Sequence, residues 1–127
     1  MNKILLTGFS GFTGAYILKE AARSSTEIIC LSEDGSPNSL PIDLLDYQAV
    51  QERIKELNPS SVIHLAAISH VQHEPSSDFY SINVGGTRNI LQALSKLPED
   101  RLINNIFASS ATVYGNSEQV ELREDSP

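Results

Sequence analysis

Basic residues are scarce in this sequence. Nine Lys and Arg stand against sixteen Asp and Glu over 127 residues, a formal net charge of -7. A chain this acidic offers no broad basic face, which argues against nucleic acid or an anionic membrane as a partner. Any phosphate it binds must be held by backbone amides and local dipoles. Cysteine is nearly absent as well: the single Cys30 cannot form an internal disulfide, which points to a reducing, cytoplasmic setting. It stands in the run Ile28-Ile29-Cys30-Leu31 and reads as a small buried hydrophobe of a strand. Long apolar runs are lacking too. The first, Lys3 to Leu6, is far too short for a signal peptide or a membrane span. Metal ligands are sparse: His70, His73 and Glu74 share one loop, but no further ligand cluster accompanies them, so no metal is expected. Repeats, low-complexity tracts and linker-like stretches are absent, and residues 1–127 read as one domain. With 40% hydrophobic and 20% charged residues the composition is that of a globular unit. A chain of this length buries roughly two thirds of its unfolded surface, enough for one core.

What the sequence does have is glycine in one place. It opens MNKILLTGFSGFTGAYILKEAA, with Gly8, Gly11 and Gly14 directly after an apolar run. Glycines lose more backbone freedom on folding than other residues, so three in seven positions imply a need for bare backbone. Lys3 to Thr7 is short and apolar and reads as a buried strand, while Ile17, Leu18, Ala21 and Ala22 recur at helical spacing. The glycines therefore occupy a strand-to-helix turn. There the first helical amides are unpaired and carry the positive end of the helix dipole, a site suited to a pyrophosphate. Gly8 allows the tight turn, Gly11 the approach of phosphate to backbone, and Gly14 the packing of helix on strand. The spacing is G-x-x-G-x-x-G rather than G-x-G-x-x-G.

Further along, Glu27 to Leu31 reads as a second strand and Glu33 to Ser39 as a loop. Asp46 is placed to cap a helix with Val50, Ile54 and Leu57 on one side, ended by Asn58-Pro59. Ser61 to Leu65 reads as a third strand, Ser76 to Leu97 as a long helical pattern, and Ile103 to Ala108 as a fourth strand. Gly85-Gly86 within that helical pattern implies close approach of a neighbouring element. His64, inside an apolar strand, reads as a satisfied core histidine. Alternating strands and helices predict an α/β fold of the Rossmann type, a doubly wound parallel sheet whose ligand lies at the carboxyl ends of the strands. Thr7 to Gly14, Ser32 to Asp34, Ala66 to Ser69 and Ser109-Ser110 all fall at such ends.

TGFSGFTG, DLLD (Asp43 to Asp46), HLAA (His64 to Ala67), NVGGT (Asn83 to Thr87) and SSATVYG (Ser109 to Gly115) together resemble the extended short-chain dehydrogenase/reductases. These are NAD(P)-dependent epimerases, dehydratases and reductases of nucleotide sugars, and the resemblance covers nearly the whole chain. It implies NAD as cofactor, with NADP not excluded, a nucleotide sugar as substrate, and a homodimer for the full-length enzyme. Carried over by position, Phe12 and Thr13 face the pyrophosphate with Gly8, Gly11 and Gly14, and Asp43 and Leu44 lie near the adenine. Leu65, Ala66, Ala67 and Ser69 run along the ribose and nicotinamide side, with Asn83 close by. Ser110 matches the catalytic Ser/Thr that hydrogen-bonds the sugar oxygen where hydride leaves or arrives.

Two departures bear on function. The end of the second strand, where an NAD enzyme of this kind carries an acid, holds Ser32, with Glu33 and Asp34 just after it; Ser32 together with Glu33 or Asp34 is expected at the cofactor's ribose. Tyr114 is not followed by Lys four residues on, so the family's Tyr-x-x-x-Lys is not there. The chain is thus expected to be an NAD(P)-binding part, truncated before the later strands and the substrate domain, and inactive by itself. Dehydratases place an acidic pair after the catalytic Ser/Thr; here those positions are Ala111 and Thr112. A 4-epimerase or 4-keto-sugar reductase is the expected enzyme. The alternative from another class is a non-catalytic dinucleotide-binding or redox-sensing module on the same fold.

Overall fold

The computed structural model describes residues 2–66, 80–101, 104–109, 121 and 123–125. The elements run β1 (Lys3–Thr7), α1 (Phe12–Ser24), β2 (Glu27–Ser32), β3 (Ser39–Pro41), α2 (Tyr47–Leu57) and β4 (Ser61–His64). A π-helical turn over Ser81–Gly85 then leads into α3 (Gly86–Leu94), followed by β5 (Asn104–Phe107). The strands form one parallel sheet in the order β3-β2-β1-β4-β5. The chain thus starts in the middle, builds outward to one edge, then returns to build the other. The order reverses between β1 and β4, and there the two connections leave the sheet in opposite directions and open a crevice.

One side of the sheet is held by α2 and α3. Leu5, Leu31 and Val62 from the strands close on Val50 and Ile54 of α2 and on Ile90, Ala93 and Leu94 of α3, with Ile42 completing the core. Burying side chains of this size contributes roughly 1.5–3 kcal/mol each relative to exposure, so this cluster is what fixes both helices on the sheet. α1 packs against β2; outside that cluster Leu6 is fully buried and Cys30 nearly so, and burial pushes the Cys30 thiol up.

The sequence expectations need three amendments. There are five described strands rather than four, because Ser39–Pro41, read as loop end and connection, pairs with β2 at the sheet edge. Pro41 is tolerated there since an edge strand leaves one side unpaired. The strand expected over Ser61 to Leu65 ends at His64, although the Leu65 amide still donates to the Thr7 carbonyl at 3.2 Å. The helical pattern begins, within the described residues, as a π-turn and not as regular α-helix.

Candidate functional site

At the carboxyl ends of β1, β2 and β4 lies a cleft of about 670 Å³. Its floor is Thr7-Gly8 and Ala66, on either side of the point where strand order reverses; Phe9 and Ser10 form one wall. Leu31, Ser32, Glu33 and Asp34 follow from β2, Ile42 to Leu45 from the connection after β3, and Ile82 from the π-turn.

The glycine turn is built as bare backbone. Gly8 sits at φ +74°, and a Cβ on it would stand 2.7 Å from the Ala66 amide, so the β1 and β4 connections pass too closely for a side chain. Gly14 is closed just as tightly, but by the turn and not by the strand: its Cβ would lie 2.5 Å from Phe9 Cα and 2.6 Å from the Gly8 carbonyl. Gly11 is different. Its backbone is extended at φ -78°, its amide donates to the Gly8 carbonyl at 3.2 Å, and a Cβ would meet only that oxygen, at 3.5 Å. Gly11 is therefore not required by packing. It caps α1 without any side-chain hydrogen bond, and no acidic residue stands in the first turn of that helix. Unpaired amides and the positive dipole end are left facing outward there.

The cleft itself is acidic. Glu33, Asp34 and Asp43 line it, and among the described lining residues none is basic. Asp34 Oδ1 accepts from the Ser36 hydroxyl at 2.5 Å and from its amide at 3.1 Å, which holds the carboxyl below the usual carboxylate range. Asp43 Oδ1 accepts from the Leu45 amide at 2.9 Å, so one of its oxygens shapes the loop. Ser32 is tied inward. Ser39 Oγ donates to the Ser36 carbonyl, so the Ser32 hydroxyl, which accepts from the Ser36 amide at 3.2 Å, has Ser39 Oγ at 2.6 Å and the Asp34 carboxylate as its own acceptors. Its proton is thus committed to the loop.

Of the residues singled out from sequence, the cleft brings together Gly8, Ser32, Glu33, Asp43, Leu44 and Ala66. Gly11, Phe12, Thr13 and Gly14 form the start of α1 directly after it, with the Phe12 ring 81% exposed and 5.0 Å from that of Tyr16. Leu65 lies beside Ala66, and Asn83 is one residue beyond Ile82 without itself lining the cleft. Ala67, Ser69 and Ser110 lie outside the described residues. Phe9, Ser10, Ile42, Leu45 and Ile82 were not singled out. Each adjoins a motif residue, and that adjacency was the available signal.

Residues 4–127 match the family described as NAD dependent epimerase/dehydratase. One relative, N-acetyl-alpha-D-glucosaminyl-diphospho-ditrans,octacis-undecaprenol 4-epimerase of Escherichia coli O157:H7, is 36% identical over 90% of this chain and 34% of its own. The GDP-6-deoxy-D-talose 4-dehydrogenase of Aggregatibacter actinomycetemcomitans is 33% identical over 96% of this chain and 40% of its own. Among solved structures, UDP-glucose 4-epimerase from Brucella ovis in complex with NAD superposes with a TM-score of 0.79 at 28% identity, covering 98% of this chain and 40% of that one. The chain spans about two fifths of the length of the curated relatives it matches.

Proposed function

Because this chain belongs to the NAD dependent epimerase/dehydratase family, we propose that its cleft binds NAD and that, in the whole protein, this unit serves reversible hydride transfer at a nucleotide-sugar carbon. The observation that carries the reading is the polarity around the cleft: an uncapped helix N-terminus directly after its Gly8 to Ser10 wall, and three carboxylates, Glu33, Asp34 and Asp43, in its lining. A dinucleotide has the matching chemistry, anionic in the middle and rich in hydroxyl and amino donors toward the adenosine.

The residues present fit that cofactor. The amides of Phe12 and Thr13 would take the pyrophosphate, with no side chain in competition for them. Leu31, Ile42 and Leu44 give apolar surface for a base, and Asp43 is placed to accept from its amino group. Glu33 and Asp34 would accept from the ribose hydroxyls, since the Ser32 proton is already committed. The same carboxylates would repel the extra phosphate of NADP, with no cation at hand among the described lining residues to offset them. When bound, the nicotinamide supplies the hydride acceptor or donor. Ser110 is assigned the orienting of the substrate oxygen on its motif match.

The 4-epimerase and 4-dehydrogenase relatives support a reaction at position 4 of the sugar, and Ala111 and Thr112 leave the acid/base groups of elimination missing. Calorimetric titration tests the cofactor reading. NAD should bind at least as well as NADP, and Gly11→Val should weaken it at least tenfold, about 1.4 kcal/mol, by placing a branched side chain where phosphate approaches. A folded Gly11→Val protein with unchanged NAD affinity, or a strong preference for NADP, would overturn it.

A further inference from the structure

Beneath the cleft lies a hydrogen-bonded chain that the cofactor reading does not use. His64, the last residue of β4, is buried with Thr7 of β1, and its ring meets the edge of Phe107 of β5 at 5.6 Å. Thr7 Oγ1 accepts from the Ala66 amide at 3.1 Å and shares the Leu65 amide, 3.2 Å away, with the Thr7 carbonyl, also at 3.2 Å. With those amides on its acceptor side, the one proton of the hydroxyl is directed to His64 Nδ1, 2.7 Å away. On the other side of the ring, Thr87 Oγ1 donates to the Asn83 carbonyl at 2.8 Å, and so it must accept from His64 Nε2, 3.1 Å away. The two ends favour the same tautomer: Nδ1 bare, Nε2 protonated.

The chain therefore runs with one polarity from the Leu65 and Ala66 amides through Thr7, His64 and Thr87 to the carbonyl of Asn83 in the π-turn. Ala66 is floor of the cleft, and the π-turn carries its wall residue Ile82. Among the described residues, the groups meeting the ring come from β1, β5 and the π-turn with α3, and none of these is titratable or charged. Burial alone pushes the imidazole below its ordinary value. A second proton on Nδ1 would compete with the Leu65 and Ala66 amides for the Thr7 oxygen, so the geometry favours the neutral form as well.

We propose that His64 is a positioning residue of the cleft, a neutral Nε2–H imidazole that fixes the Leu65–Ala66 segment relative to the π-turn. That the positioned cleft serves NAD rests on the reading above; the spacing itself does not. Nitrogen-resolved spectra of the imidazole in the 127-residue chain should show Nε2 protonated and Nδ1 bare at neutral pH. Thr87→Val keeps the side-chain shape and removes the acceptor. It should speed exchange of the Leu65 and Ala66 amides and raise the Kd for NAD, each about tenfold, and Thr87→Ser should restore both. An Nδ1–H ring or an imidazolium at neutral pH would overturn the proposal, and so would a Thr87→Val chain matching the wild type in both amides and affinity. If Thr87→Val does not fold, the wild-type tautomer decides. A wild-type chain that binds no NAD would sink the cofactor reading, while the imidazole and amide readouts still judge His64.

Discussion

At the scale of single residues, the three glycines of the turn have separate physical reasons. Gly8 and Gly14 are bare because a Cβ would overlap backbone at 2.5–2.7 Å; Gly11 is bare where packing does not demand it. A motif that looks uniform in sequence thus divides into two positions needed by the fold and one open for a ligand. His64 carries a pH consequence. Its folded value lies below the ordinary histidine value of about 6.5, so the unfolded chain takes up the proton first. The stability this contributes is complete above about pH 6.5 and is lost as pH falls from there through the folded value. Urea unfolding between pH 7.5 and 5.5 should give a falling midpoint for the wild type and a flatter profile for His64→Gln, whose amide does not titrate. Parallel profiles would show that the ring keeps its ordinary proton affinity.

At the scale of elements, α2 is the helix most fully specified by local sequence. Asp46 caps it by accepting from the Ala49 amide at 3.1 Å, Val50 and Ile54 face the core, and Asn58 closes it in the left-handed region at φ 45°. Its last carbonyls find partners far off in the chain: Lys3 Nζ donates to the Leu57 carbonyl, and the Arg101 guanidinium to those of Asn58 and Pro59. Asp46→Ala should lower stability by about 1 kcal/mol, a Tm drop of roughly 4 °C, and Asp46→Asn should not. Equal losses in both would mean that charge, and not the cap bond, is what matters. The start and end of α2 were legible because caps act within three or four residues. The Lys3 and Arg101 contacts were not, because nothing local to either residue marks them. β3 escaped notice for the same reason: three residues with a proline carry no period, and only pairing with Cys30 to Ser32 makes them a strand. Gly85 and Gly86 implied a close neighbour, and that neighbour is the Leu44-Leu45 connection, 3.3–3.4 Å from where their Cβ atoms would be.

At the scale of the whole molecule, binding and chemistry separate. The cleft proposed for NAD draws on residues of this chain, yet none of its four tyrosines is followed by a lysine four positions on. The 127-residue chain should therefore bind NAD without turning over a nucleotide sugar, since positioned proton transfer is worth typically 10²–10⁴-fold. Nicotinamide absorbance with purified chain measures this; turnover on the order of 1 s⁻¹ or faster would mean a residue already present moves the proton, Tyr80 being the first to replace. The sequence by itself determined the parallel α/β class, the glycine turn, the α2 caps and the family, because periodicity, capping and backbone freedom act over a few residues. Only the tertiary structure decided that the Ser32 proton is committed to the loop, that Glu33, Asp34 and Asp43 gather on one cleft, and that Thr7, His64 and Thr87 form one directed chain. Those residues are up to 80 positions apart (7 to 87), and what each can donate or accept depends on partners brought to it by the sheet order β3-β2-β1-β4-β5.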